Sequence, residues 1–203
     1  MTPFPIIMAT TNTGKQAAFQ RLLADLPIRL YSSQELGIRL EIDETGATFA
    51  ENALLKARAF RDVARMAALA DDSGLCVDAL GGEPGLRSAR FGGLHHSSEE
   101  QNRLLLDMME HVLAQDRGAE FVSVIAFSDR KGREWTAEGR IRGVIAAEPR
   151  GTNGFGYDPV FLVPDLDLTF AEMTSDQKDP ISHRGIAMKL ARSHLENSVA
   201  LLE

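Results

Sequence analysis

Cysteine is almost missing from this chain: Cys76 stands alone among 203 residues, which excludes an intrachain disulfide framework and any zinc site built from several cysteines. It is expected to pack as a small hydrophobe. Long apolar runs are missing too, since none approaches the roughly 18 residues that suggest a membrane span. The N-terminus, MTPFPIIMAT, lacks a basic segment before its short apolar stretch and reads as a first strand rather than an export signal. A cytoplasmic protein with no membrane partner is therefore expected. Basic charge is in deficit: 22 Lys and Arg against 29 Asp and Glu leave a formal charge of −7. That balance argues against a broad phosphate-tracking surface, and so against a nucleic-acid partner.

What remains is ordinary globular material, with 44% hydrophobic and 25% charged residues. The length suffices for a substantial core, and a single domain over residues 1–203 is expected. Residues 4–10 read as a strand, and 15–26 place Phe19, Leu22, Leu23 and Leu26 at helical spacing. An edge strand is expected near 38–42. Thr48 followed by Glu51 is a capping-box pattern opening a helix through ENALLKARAFRDVARM. Residues 67–70 read as a buried strand running into an acidic DDSG turn. GGEPG at 81–85 breaks periodicity, and a helix begins near Ser97 or Ser98 with Leu104, Leu105, Met108, Met109 and Val112 on its apolar face. FVSVIAFSD and EWTAEGRIRGVIAA form a hairpin about the DRKGR turn; a glycine-rich loop, the strand VFLV and a last helix after Ser182 follow. The pattern is α/β, a mixed sheet flanked by helices.

Five segments carry residues suited to chemistry, and each alone also fits a bland structural role. TTNTGK (10–15) lies between a strand and a helix, where free amides and the helix dipole favour an anion; its spacing is not that of a P-loop. Asp43 and Glu44 precede a helix on which Asn52 and Lys56, four apart, share a face, so Lys56 can point toward those carboxylates. ADDSG (70–74) delivers Asp71 and Asp72, natural ligands of Mg²⁺, or equally natural turn formers. GFGYDP (154–159) offers Phe155 or Tyr157 for stacking on a purine and Asp158 for a base edge; a hairpin loop with core aromatics is the alternative. In KDPISHRG (178–185), Ser182 is placed to cap a helix, and His183 and Arg184 then oppose its macrodipole, a misfit that a bound phosphate would relieve.

In order and over nearly the whole chain, TTNTGK, DETGATFAENALLKA, ADDSGLCVDALGG, GTNGFGYDPVF and KDPISHRG resemble the inosine triphosphate pyrophosphatase (Ham1-like) family. The resemblance implies an elongated mixed sheet with two lobes around a nucleotide cleft, a homodimer, and Mg²⁺-dependent hydrolysis of inosine, deoxyinosine and xanthosine triphosphates to monophosphate and pyrophosphate. It makes Asp72 the catalytic acid, touching Mg²⁺ and accepting a proton from the attacking water. Asp43 and Glu44 match the other acidic motif and join Asp72 as metal ligands. Thr10, Thr11, Asn12, Thr13, Gly14 and Lys15 match the phosphate loop, with Lys56 and Ser73 beside them. Phe155, Gly156, Tyr157, Asp158, Lys178, His183 and Arg184 match positions that hold base and phosphates. The related Maf-like pyrophosphatases and a regulatory nucleotide-binding module are the rival readings; the FGYDP and SHRG segments and the adjacent acids favour the first.

Overall fold

The computed structural model describes residues 3–93 and 96–200; residues 1–2, 94–95 and 201–203 of the expected 1–203 domain lie outside that description. The elements are β1 (Phe4–Met8), α1 (Thr13–Leu22), β2 (Ile28–Tyr31), α2 (Phe49–Ala64), β3 (Ala67–Val77), α3 (Ser98–Met108), β4 (Gly118–Ser128), β5 (Glu134–Ile145), β6 (Phe161–Val163), β7 (Leu168–Thr169), α4 (Ser175–Lys178) and α5 (His183–Ala200). They build one seven-stranded mixed sheet in the order β2-β1-β3-β4-β5-β6-β7. β1 runs parallel to β2 and β3, and β6 antiparallel to β5 and β7. No helix among the described residues is long and apolar enough to cross a membrane.

The chain forms two compact units. The first comprises Met1–Asp72, Ser123–Gly139 and Arg184–Glu203, the second Ser73–Val122 and Arg140–His183. In the first unit, strand alternation sorts side chains onto two faces. Ile6, Met8, Leu69, Ile125 and Phe127 pack with residues of α1 and α5, whereas Ile7, Ala9, Ala68, Ala70, Val124 and Ala126 pack with Ala53, Ala57 and Phe60 of α2. The second unit has its own core, in which Leu75, Val77, Leu105, Phe121, Phe161 and Phe170 are buried together.

Capping residues set the helix starts. Thr48 accepts from Glu51 N at 3.1 Å, and the Glu51 carboxylate accepts from Ala47 N at 2.6 Å, so that acid closes the N-terminus of α2. Ser97 and Glu100 form a reciprocal capping box at α3.

Three expectations need correction. The edge strand is β2, not 38–42: Leu36, Ile38, Leu40 and Ile42 pack on the α2-side core without strand pairing, their alternation reflecting burial alone. DDSG is not a turn, because β3 continues through it to Val77. Met108 is 44% exposed and ends α3; the buried side of that helix carries Leu105, with Met109 following.

Candidate active site

In the first unit the polar cluster begins just beyond the last β1–β3 pair, Met8 and Leu69. Because successive strand residues point to opposite faces, Asp71 falls on the α1/α5 side and Asp72 on the α2 side. Their partners follow that division. Asp71, 1% exposed, accepts from Ser123 Oγ at 2.8 Å and Arg184 Nε at 2.9 Å, and lies 3.2 Å from Lys15 Nζ. Lys56, on α2, donates to Asp72 Oδ1 at 2.5 Å, Glu44 Oε1 at 3.1 Å and the Asp71 carbonyl at 3.1 Å. The expectation that Lys56 points at the preceding carboxylates holds for Glu44. Asn52, one turn earlier, holds the approaching chain by accepting from Gly46 N at 2.7 Å.

The two aspartates are electrostatically unlike. Burial pushes the Asp71 carboxyl up, but Lys15, Arg184, Lys56 and the Ser123 hydroxyl together hold it far below the usual carboxylate range. Burial also pushes Asp72 up, and there Lys56 only partly offsets it, so Asp72 stays above its ordinary value. Lys56 keeps its proton more firmly than a free lysine: Asp72, Glu44 and Asp71 outweigh the effect of burial. For Lys15 the balance is reversed, with burial dominant and the nearby Lys56 and Arg184 adding to it, so its affinity for the proton drops.

The phosphate-loop candidates surround Lys15. Asn12 caps α1 by accepting from Lys15 N at 3.0 Å, and Thr10 Oγ1 accepts from Asn12 N at 3.2 Å. Thr11 and Thr13 are exposed. Gly14 is the second residue of α1 and has no positive φ, so it makes no left-handed turn.

Glu44 and Asp72 bring two carboxylates to the Lys56 ammonium, an arrangement that suits a hard cation taking one or two carboxylates plus phosphate oxygens. Asp43 is exposed, and its carbonyl accepts from Thr45 N at 3.0 Å. No group of three or more His, Cys, Asp or Glu side chains placed to hold a metal ion occurs among the described residues.

In the second unit the glycine-rich loop is pinned at several points. Asp158 Oδ2 accepts from Phe155 N at 2.8 Å and from Lys178 Nζ at 2.5 Å. Lys178 Nζ also lies 4.7 Å from the centre of the Phe170 ring and 5.8 Å from that of Phe155. Gly154, at φ +77°, leaves no room for a Cβ beside the Asp158 carboxylate. Tyr157 is core: it is 4% exposed and its hydroxyl donates to Ser88 O at 2.9 Å, whereas Phe155 is half-buried. His183 is buried and stacked on Phe121, with ring centres 4.5 Å apart. Ser73 continues β3 and is half-buried, as is Cys76, which was expected inside the core.

Reading the sequence missed Asp71 as a counter-ion, Ser123 as its hydroxyl donor, and Asn102, whose Nδ2 donates to Gly156 O at 3.0 Å. Strand alternation at Asp71-Asp72 was the available signal for the first; nothing local marks Ser123. Arg184 was offered for base and phosphates alike; its Nε is bonded to Asp71, among the basic groups of the first unit.

Fold and site together define an open-sheet α/β protein with a buried array of paired acids and bases just past the end of a parallel strand. The chain belongs to the Ham1 family, whose model matches residues 6–194. It is 43% identical over 190 residues to the dITP/XTP pyrophosphatase of Geobacter sulfurreducens, covering 94% of this chain and 96% of that protein. With the dITP/XTP pyrophosphatase of Xanthomonas campestris pv. campestris it shares 46% identity over 185 residues, 90% and 92% of the two chains. The solved structure of a HAM1 protein from Coxiella burnetii superposes with a TM-score of 0.86 at 40% identity, covering 96% of this chain and 99% of that one.

Proposed function

We propose that this protein hydrolyses the triphosphates of non-standard purines, deoxyinosine, inosine and xanthosine, to monophosphate and pyrophosphate. The observation that carries the reading is the division of labour at Asp71-Asp72. One carboxylate is committed to Lys15 and Arg184. The other meets a single ammonium and holds its proton more readily than a free aspartate.

Cleavage between the α- and β-phosphates needs charge neutralisation and an oriented water more than a covalent nucleophile. Lys15 and Arg184, fixed by Asp71, face the charge that spreads over the phosphate oxygens, together with the first amides of α1. Asp72 takes the proton of the attacking water, its raised proton affinity bringing it closer to the working range of a general base. Lys56 keeps the Asp72 carboxylate in place while the water is deprotonated. Glu44 and Asp72, with Asp43 beside them, would hold Mg²⁺, which when bound supplies charge neutralisation at the phosphates and lowers the pKa of a bound water. Phe155 stacks on the purine, and Lys178, held by Asp158, donates to its 6-keto oxygen. Magnesium as the ion, the cytoplasm as the compartment and a homodimer as the working form belong to the same reading through the family resemblance.

Product analysis tests it. Incubation with dITP and Mg²⁺ is expected to give deoxyinosine monophosphate and pyrophosphate in equal amounts, and chelation of the metal to stop the reaction. Diphosphate and orthophosphate as products would overturn the proposal, as would binding of dITP without turnover.

A further inference from the structure

The buried face of α3 carries one residue that hydrophobic packing does not explain. Asn102 lies one turn before Leu105 and two before Met109, on the side of the helix that faces the core. Leu105 and Met109 are fully buried and Asn102 is 5% exposed. Its Nδ2 donates to Gly156 O at 3.0 Å, yet its Oδ1 is buried and meets no donor. A buried acceptor left unpaired is destabilising, so stability alone would favour leucine here. Gln101, the adjacent buried amide, poses no such question, since its Nε2 donates to Ala89 O at 3.2 Å.

The single bond that Asn102 makes falls at the joint of the glycine-rich loop. Gly156 has a φ of +64°, and its neighbours are anchored elsewhere: Phe155 N to Asp158, the Tyr157 hydroxyl to Ser88 O. Gly156 O is the backbone acceptor that lies between those anchors. Without its partner, a glycine flanked by two side-chain anchors can turn its peptide and carry the Phe155 ring with it.

We infer that Asn102 is a positioning residue for substrate: through Gly156 it fixes the Phe155 ring in the orientation that stacks on a purine, at a cost in stability. The inference rests on the reading of this loop as the base-binding element. It separates two properties that a purely structural residue would move together.

The experiment compares Asn102→Leu and Asn102→Asp with the wild-type enzyme in melting temperature, kcat and KM for inosine triphosphate, and kcat/KM for ATP. Asn102→Leu removes the donor and fills the site with apolar volume; Asn102→Asp keeps the shape and replaces the donor by a second acceptor. The expected result is a melting temperature for Asn102→Leu within about 3 °C of the wild type or above it. In both variants KM for inosine triphosphate rises about tenfold, kcat stays within about twofold, and the preference over ATP narrows. Unchanged KM values in both variants overturn the inference. So does a parallel fall of melting temperature and kcat, which marks Asn102 as structural. If Asn102→Leu does not fold, Asn102→Asp decides by the same criteria. Wild-type turnover is the control: with it present and KM unchanged, the role of Asn102 falls alone, and without it the base-binding reading falls as well.

Discussion

Asp71 and Asp72 are neighbours in sequence with opposite duties, and substitution separates them. Asp72→Asn removes the proposed proton acceptor and metal-binding charge without changing volume. Turnover is expected to fall on the order of 10²–10⁴-fold while the unfolding free energy stays near that of the wild type. Pyrophosphate release and urea denaturation on one preparation check both halves, and retention of most activity would remove Asp72 from its role. Asp71→Ala should instead lower the stability of the free protein. It leaves Lys15 and Arg184 buried beside an empty place, and breaking such a buried pair costs about 3–5 kcal/mol. A loss under 1 kcal/mol by urea denaturation would show that solvent already screens the cluster.

The turn between β4 and β5 carries a pH dependence of its own. Asp129 is 1% exposed, and its carboxylate accepts from Lys131 N at 2.8 Å, Arg133 N at 2.9 Å and Arg133 Nε at 2.6 Å. Burial pushes its pKa up, but the Arg133 and Lys131 bonds more than reverse this, so the group titrates below its ordinary value. A carboxyl lowered on folding contributes stability that is present above the unfolded value, about 3.9, and is lost as pH falls through the folded one. Asp129→Asn is therefore expected to cost about 1 kcal/mol at pH 7, with the difference from wild type vanishing under strongly acid conditions. Urea titrations at pH 7 and in that acid range check it; a cost independent of pH would assign the effect to shape.

At the same scale, the strongly patterned elements were legible in the sequence and the short ones were not. The Thr48-Glu51 pair, and the serines at 97 and 98, marked helix starts because capping is a local interaction. β2 is only four residues, IRLY, too few for periodicity to stand out, whereas Leu36, Ile38, Leu40 and Ile42 alternate without being a strand, because packing on a core needs the same pattern as pairing in a sheet. DDSG read as a turn because its composition is that of one; buried partners as far away in sequence as Ser123 and Arg184 keep β3 extended through it.

For the molecule as a whole, the sequence offered candidate site residues but not how they divide between the two units. Lys15, Lys56, Asp72 and Arg184, proposed to handle the phosphates, fall in the first unit, and Phe155, Asp158 and Lys178 in the second. The sequence left Arg184 open to base or phosphate; its bond to Asp71, beside Lys15, supports the proposed phosphate role. In the proposed reading Lys178, held by Asp158, is the donor that distinguishes bases, and the central claim turns on that distinction. A 6-keto purine offers Lys178 an acceptor where adenine offers an amino donor, and each mismatched polar contact costs on the order of 1–3 kcal/mol. The most direct measurement is kcat/KM for inosine triphosphate and ATP with Mg²⁺ in excess, where roughly 5- to 150-fold preference for inosine triphosphate is predicted from that contact; equal values would contradict the account even if pyrophosphate were released.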